Sequence, residues 1–123
     1  MQKKVRIIHL EDSSSDAELV VMQLEKSGMT FDYLLVSQSK EYEDAIQNFN
    51  ADIILSDHSL PSMSSADAFS ILKASGKEIP FILVTAAVSE EFAVSMIKAG
   101  IDDYLLKDKL HLLPNAINTA LNK

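Results

Sequence analysis

The chain has 123 residues, the usual size of one domain, so residues 1–123 are expected to form a single folding unit. Hydrophobic residues make up 47% and charged residues 24% of the sequence, which is typical of globular domains and excludes disordered or collagen-like chains. The chain contains no cysteine, which excludes disulfides, thiolate zinc sites and cysteine nucleophiles.

Charge and the N-terminal sequence limit the partners and the location of the protein. The formal net charge of −7 and the lack of a basic patch predict no nucleic-acid partner and no membrane partner. The first apolar run, residues 5–10, is interrupted by Arg6 and His9 and is too short for a signal peptide. A cytoplasmic location is therefore expected.

Five short apolar segments, each bounded by polar or turn residues, predict β-strands. They are residues 5–10, 31–36, 52–55, 81–84 and 104–106. The third and fourth segments do not alternate with polar residues, a pattern typical of parallel strands that are covered on both faces. These two strands are therefore expected to lie in the interior of the sheet.

Segments with helical spacing of apolar residues follow each predicted strand. The predicted helix starts are Ser13 paired with Asp16, Ser39, Ser64 paired with Asp67, and Ser89, and a fifth helix carries Pro114 in its first turn. Gly28, Gly76 and Gly100 are expected near the helix ends. Five strand–helix repeats joined by right-handed crossovers predict an α/β fold, a doubly wound five-stranded parallel sheet with five helices.

Polar residues follow the predicted strands at their carboxyl ends, where open α/β folds bind their ligands. They are Glu11 and Asp12 after the first strand, Asp57 after the third, Thr85 at the fourth and Lys107 at the fifth. An aspartate at a strand end often only caps the next helix, so the prediction rests on the whole set. Three carboxylates about 5 Å apart repel by roughly 3 kcal/mol per pair at an effective dielectric constant near 20, which a divalent cation such as Mg²⁺ would offset. With Lys107 and Thr85, this set has the chemistry to receive a phosphoryl group on Asp57.

The order and spacing of these motifs resemble the receiver domain of two-component response regulators over essentially the whole chain. The resemblance is carried by Glu11-Asp12, Ile53-Ile54-Leu55-Ser56-Asp57, Leu60-Pro61, Thr85-Ala86 and Ala99-Gly100-Ile101-Asp102-Asp103-Tyr104-Leu105-Leu106-Lys107. The local sequences around Glu11, Ser59 and Lys107 are similar to receivers attached to hybrid histidine kinases. This resemblance implies the flavodoxin-like strand order 2-1-3-4-5.

The resemblance also implies the chemistry of the site. Asp57 would accept a phosphoryl group from a phosphohistidine of a histidine kinase or phosphotransfer protein. Asp12 would bind Mg²⁺ directly and Glu11 through water, with Asp57 and the backbone carbonyl of Ser59 as further ligands. Lys107 would contact the phosphoryl group.

A phosphorylation switch follows from the same resemblance. Thr85 and Tyr104 match a switch pair in which the hydroxyl moves to a phosphoryl oxygen and the ring turns inward. The fourth helix, fifth strand and fifth helix would then bind a downstream protein, with the chain a monomer or weak homodimer. Such a domain catalyses its own phosphoryl transfer and slow dephosphorylation but is not a conventional enzyme.

Several residues depart from the family pattern or sit beside the site. Asp108 follows Lys107 where the family often has proline after a cis bond, and a trans bond is expected because a cis bond before Asp costs about 3–4 kcal/mol. Ser65 stands where glycine is common, which is expected to alter the loop after Asp57. His58 is expected to be a solvent-facing loop residue, and His9 an interior or interface histidine.

Three alternatives remain open from the sequence. A flavodoxin-like electron carrier would need a phosphate-binding loop, but Ser13, Ser14 and Ser15 lack glycine and are flanked by acidic residues. A phosphatase of the haloacid dehalogenase type would carry its nucleophile on the first strand with a second Asp two positions later, whereas Ser59 stands at that distance from Asp57. The third alternative is a receiver fold that acts as a binding module without phosphorylation.

Overall fold

The computed structural model describes residues 4–123, which form a five-stranded parallel sheet with helices on both faces. The strands are β1 Val5–Leu10, β2 Phe31–Val36, β3 Ile53–Ser56, β4 Phe81–Thr85 and β5 Asp103–Leu106, and the helices are α1 Ser14–Lys26, α2 Ser39–Asn48, α3 Ser65–Ala74, α4 Glu90–Ala99 and α5 Leu113–Leu121. The strand order is β2-β1-β3-β4-β5, which confirms the expected doubly wound fold. Within the described residues, no helix is long and apolar enough to cross a membrane.

The core has two halves, one on each face of the sheet. Successive residues of a strand point to opposite faces, so Ile8 and Ile54 pack in one half and Ile7 and Ile53 in the other. Every residue of β3 and β4 is buried, which confirms that these two strands are interior. Their carboxyl ends are thereby fixed side by side at one sheet edge.

Most of the predicted helix boundaries are confirmed. At α3, the Ser64 hydroxyl accepts a hydrogen bond from the Asp67 amide at 3.1 Å, and the Asp67 carboxylate accepts one from the Ser64 amide at 3.0 Å. The Ser89 hydroxyl caps α4, and Gly100 ends it with φ of +119°, a left-handed conformation that glycine adopts readily. Ser64 and Ser89 thus fix where α3 and α4 begin, and Gly100 fixes where α4 ends.

The start of α1 differs from the expected reciprocal capping pair. The Ser13 hydroxyl accepts a hydrogen bond from the Asp16 amide at 3.3 Å, as predicted. The Ser13 amide, however, donates to Glu11 Oε2 at 3.2 Å rather than to Asp16. The Asp16 carboxylate is therefore available for another partner.

Two further details of the chain path differ from expectation. The residue that precedes α2 is Gln38, and Ser39 is the first residue of the helix, because the Glu41 carboxylate accepts the Gln38 amide at 3.2 Å. A 3₁₀ helix, Lys107–Leu112, leads from β5 into α5 and was not predicted from the sequence. Among residues 4–123 no peptide bond is cis, so Lys107 and Asp108 are joined by a trans bond, as expected.

A buried hydrogen bond joins α2 to α3. Tyr42 is fully buried, and its hydroxyl donates to the Ala68 carbonyl at 2.7 Å. We expect Tyr42→Phe to lower the free energy of unfolding by about 1 kcal/mol, because the variant leaves a buried acceptor without this donor. Urea unfolding measures the loss, with Tyr104→Phe, which alters an exposed residue, as the control. Equal stability of the Tyr42→Phe variant and the unaltered protein would contradict the role given to this bond.

Candidate functional site

Side chains from distant parts of the chain meet at the carboxyl ends of the strands. Glu11 and Asp12 follow β1, Asp57 follows β3, and the Asp57 amide donates to the Leu10 carbonyl at 2.9 Å. One carboxylate oxygen from each of Glu11, Asp12 and Asp57 lies within 4.8 Å of the other two. The structure thus brings these three predicted site residues into one acidic pocket.

Lys107 places its ammonium group among the carboxylates of this pocket. Lys107 Nζ lies 2.7 Å from Glu11 Oε1, 3.1 Å from Asp57 Oδ2 and 2.7 Å from Asp16 Oδ2. The Lys107 side chain is only 15% exposed. The ammonium donates hydrogen bonds to Asp57 and Asp16, whereas Glu11 Oε1 forms an ion pair with it but accepts no hydrogen bond from residues 4–123. Asp16 was absent from the predicted site, and its contact with Lys107 is the main addition that the structure makes.

The pocket shifts the pKa values of Glu11 and Asp57 in opposite directions. Burial raises the pKa of Glu11, and the Asp57 charge adds to that effect, although contacts with Lys107 oppose it. Burial also disfavours the ionised form of Asp57, but hydrogen bonds from the Thr85 hydroxyl, the His58 amide and Lys107 hold its pKa below the usual value. Asp57 is therefore an ionised carboxylate at neutral pH, the form needed of a nucleophile.

The pKa of Lys107 is raised by its neighbours. Burial alone would lower it, but the hydrogen bonds to Asp16 and Asp57 and the ion pair with Glu11 more than compensate. The ammonium therefore stays charged throughout the neutral range. It provides a permanent positive charge next to the Asp57 carboxylate.

The donor set of the pocket suits a hard divalent cation. All of its side-chain ligands are carboxylate oxygens, the type that Mg²⁺ prefers. Counting Asp16, the pocket contains four carboxylates and the Lys107 ammonium, which gives a formal charge of −3 when all are ionised. Glu11 is buried and Asp12 is exposed, so the pocket opens to solvent on the Asp12 side. These residues could hold a metal ion.

The other predicted site residues lie close to the pocket in the fold. Thr85 is buried at the end of β4, and its hydroxyl contributes to lowering the pKa of Asp57. Tyr104 lies on β5 and is 40% exposed, so its ring faces outward in this conformation. Ser59 lies two residues after Asp57 and forms an isolated bridge with Ser64. The roles of Thr85, Tyr104 and Ser59 stay predictions.

The expectation that His58 faces solvent is wrong. His58 is half-buried, and its Nδ1 lies 2.9 Å from the hydroxyl of Ser65, a fully buried residue. Its ring packs against Phe92 of α4, with 4.3 Å between the ring centroids. The serine that replaces the common glycine thus provides a partner for His58 and ties the loop after Asp57 to α3. No local sequence signal reveals this contact, because Phe92 is distant in the chain.

His9 is fully buried in β1, as expected for an interior histidine. Its Nδ1 is hydrogen-bonded to the Tyr33 hydroxyl, whereas its Nε2 has no partner among residues 4–123. Burial, with a smaller contribution from the Lys107 charge, lowers the pKa of His9 to about 4. His9 is therefore neutral at physiological pH.

Comparisons with known proteins agree with this geometry. The family model described as response regulator receiver domain matches residues 7–118. A probable transcriptional regulatory protein of Picosynechococcus is 30% identical over 114 residues, covering 87% of this chain and 45% of that protein. The chain thus spans less than half the length of this curated relative.

Solved receiver structures have the same fold. A response regulator receiver domain protein from Clostridium thermocellum aligns with a TM-score of 0.83 at 26% identity, covering 96% of this chain and 94% of that one. The receiver domain of a Pseudomonas aeruginosa sensor histidine kinase, which has a magnesium ion coordinated in its active site cleft, aligns with a TM-score of 0.82 at 22% identity, covering 98% of this chain and all of that one. The chain belongs to the response regulator receiver domain family of two-component signalling.

Proposed function

We propose that residues 1–123 act as a receiver domain in which Asp57 accepts a phosphoryl group from the phosphohistidine of a histidine kinase or phosphotransfer protein. One observation carries the proposal: the ionised Asp57 carboxylate lies in the same pocket as Glu11 and Asp12 and 3.1 Å from the Lys107 ammonium. This arrangement combines a nucleophile, a fixed cation and an acidic metal-binding set at one point.

Mg²⁺ is the proposed metal of the pocket. Asp12 would bind it directly and Glu11 through water, while Asp57 and the Ser59 backbone carbonyl would complete the protein ligands. When bound, the ion would neutralise charge on the phosphoryl oxygens during transfer. The magnesium ion in the Pseudomonas receiver domain supports this choice of metal.

The transfer itself needs only the residues already described. An Asp57 carboxylate oxygen attacks the phosphorus, the bond from phosphorus to the histidine nitrogen breaks, and the electron pair leaves with the imidazole. Lys107 stabilises the negative charge on the phosphoryl oxygens. Attack by water on the resulting acyl phosphate returns the Asp57 carboxylate and inorganic phosphate. The chain therefore promotes its own phosphorylation and slow dephosphorylation and turns over no separate metabolic substrate.

The phosphorylated state is proposed to be read out at the face formed by α4, β5 and α5. Thr85 helps to lower the pKa of Asp57 and lies on β4 next to β5, which carries Tyr104. A phosphoryl group adds about two negative charges and further acceptor oxygens, which draw the Thr85 hydroxyl and make room for the Tyr104 ring. Val94 and Ile97 on α4 are also exposed and provide apolar surface for a downstream protein.

The test of this proposal is the intact mass of the protein after incubation with acetyl phosphate, with and without Mg²⁺. We expect a gain of one phosphoryl group that requires Mg²⁺ and is absent in Asp57→Asn. Asp103→Asn, which changes an exposed aspartate of β5, is the matched control and is expected to behave like the unaltered protein. No gain under any condition would contradict the proposal and favour an unphosphorylated binding module.

A further inference from the structure

Asp16 occupies a position that the chemistry assigned above does not explain. It lies in the first turn of α1, where a carboxylate commonly accepts the amide of the capping residue. Here Glu11 takes that amide, and the Asp16 carboxylate instead accepts a hydrogen bond from Lys107 Nζ at 2.7 Å. This contact joins residues 91 positions apart. Local helix capping therefore does not account for where the Asp16 side chain points.

Asp16 also differs from the other carboxylates around Lys107. Glu11 and Asp57 belong to the group whose oxygens could share a metal ion, whereas Asp16 does not. Its side chain is 36% exposed and approaches the ammonium from the α1 side. A cation that enters the pocket would compete with Lys107 for Glu11 and Asp57 but would leave the contact with Asp16 in place.

The carboxylates around Lys107 would compete with a phosphoryl group for its ammonium. Lys107 Nζ already donates to Asp16 and Asp57 and lies 2.7 Å from Glu11 Oε1, so a phosphoryl oxygen on Asp57 would compete with these carboxylates for the ammonium. Asp16 is 0.4 Å closer to Lys107 Nζ than Asp57 is, at 2.7 Å against 3.1 Å. The shorter contact with Asp16 thus competes with the contact that Lys107 makes at Asp57.

We propose that Asp16 is a positioning residue that holds Lys107 toward α1 in the unphosphorylated protein and slows phosphorylation of Asp57 by competing for its ammonium group. This inference rests on the proposed function of Asp57. It assigns to Asp16 a regulatory effect that acts only through Lys107.

The test compares rate constants for phosphorylation by acetyl phosphate at saturating Mg²⁺, followed by intact mass. Asp16→Asn is expected to react about fivefold faster, since coupling between contacting charged residues is commonly about 1 kcal/mol. Glu18→Gln removes a charge from an exposed residue of the same helix and is the matched control, with an expected rate equal to that of the unaltered protein. Equal rates for Asp16→Asn and the unaltered protein would overturn the inference.

Making Asp16→Asn in a protein that also carries Lys107→Gln distinguishes loss of the Asp16–Lys107 contact from a simple change in charge repulsion. In Lys107→Gln, Asp16→Asn is expected to have no effect on the rate, because the partner through which it acts is gone. If Asp16 only repelled the anionic phosphodonor, the same acceleration would appear in both backgrounds, and the inference would be wrong. Urea unfolding of each variant at the same Mg²⁺ concentration establishes that the compared proteins are folded.

The contact between Asp16 and Lys107 in the unphosphorylated protein can also be measured directly. In protein without Mg²⁺ or phosphodonor, Asp16→Asn is expected to speed exchange of the Lys107 ammonium protons with water, measured by ¹⁵N NMR of the side-chain nitrogen. Unchanged exchange would overturn the inference. If the unaltered protein takes up no phosphoryl group, the proposed function fails and the role of Asp16 fails with it. Normal uptake with no effect of Asp16→Asn overturns the role of Asp16 alone.

Discussion

Lys107→Gln is expected to lower the free energy of unfolding by about 3 kcal/mol at pH 7 in the absence of divalent cations. Lys107 is the shared counter-charge for Glu11, Asp16 and Asp57, and the Glu11 side chain is only 1% exposed. Removing the ammonium leaves a buried carboxylate that must either remain charged without its partner or take up a proton. Both outcomes destabilise the folded state at neutral pH.

Mg²⁺ should recover most of the stability that Lys107→Gln loses. A cation held by Glu11, Asp12 and Asp57 would replace the missing positive charge, so saturating Mg²⁺ should stabilise the variant more than the unaltered protein. Urea unfolding with and without Mg²⁺ measures both effects. Lys109→Gln, an exposed lysine outside this set of contacts, is the control and should remain within about 0.5 kcal/mol of the unaltered protein. Equal stabilisation of both proteins by Mg²⁺ would show that Lys107 and the metal do not share carboxylates.

The second large effect is a dependence of stability on pH that comes from His9. Its pKa is lowered from 6.5 to about 4 in the folded protein, so between these values the unfolded chain binds a proton that the folded protein does not. The contribution of neutral His9 to the free energy of unfolding is therefore fully present above pH 6.5 and is lost as the pH falls toward 4. Between pH 7 and pH 4.5 the expected loss is about 2 kcal/mol.

His9→Leu should remove this contribution from the pH dependence. The variant also leaves the Tyr33 hydroxyl without its partner, so the informative quantity is the change in unfolding free energy between pH 7 and pH 4.5, and not stability at one pH. His111→Gln, which removes an exposed histidine, is the control, and the loss of stability on acidification that comes from His9 is expected to remain in it. The same pH dependence in His9→Leu and the unaltered protein would contradict a buried neutral His9.

Much of the fold and of the pocket could be predicted because local patterns determine them. The unbroken apolar runs of β3 and β4 indicated interior strands, and the Ser64 and Ser89 caps fixed two helix starts. Since parallel strands end at the same sheet edge, Asp57 and Lys107 could be expected to meet although they are 50 residues apart. The rule locates the site without any knowledge of side-chain contacts.

The features that were missed depend on contacts that no local pattern encodes. Asp16 lies three residues after Ser13, the spacing of a helix-capping pair. Its carboxylate instead contacts Lys107, because the 3₁₀ helix that begins at Lys107 packs beside α1. His58 resembles any polar loop residue until Phe92 and Ser65 are seen to enclose it. In both cases the partner is set by how helices pack against the sheet, which sequence spacing alone does not determine.

The most direct test of the central claim is to locate the phosphoryl group in the chain. Reduction with borohydride converts an aspartyl phosphate to homoserine, and peptide mass spectrometry identifies the altered position after treatment with acetyl phosphate and Mg²⁺. The account predicts homoserine in place of Asp57 alone, and none when Mg²⁺ is left out. Homoserine at Asp12 or Asp103, or a phosphoryl group retained on a serine, would contradict the assignment of Asp57 as the phosphoacceptor.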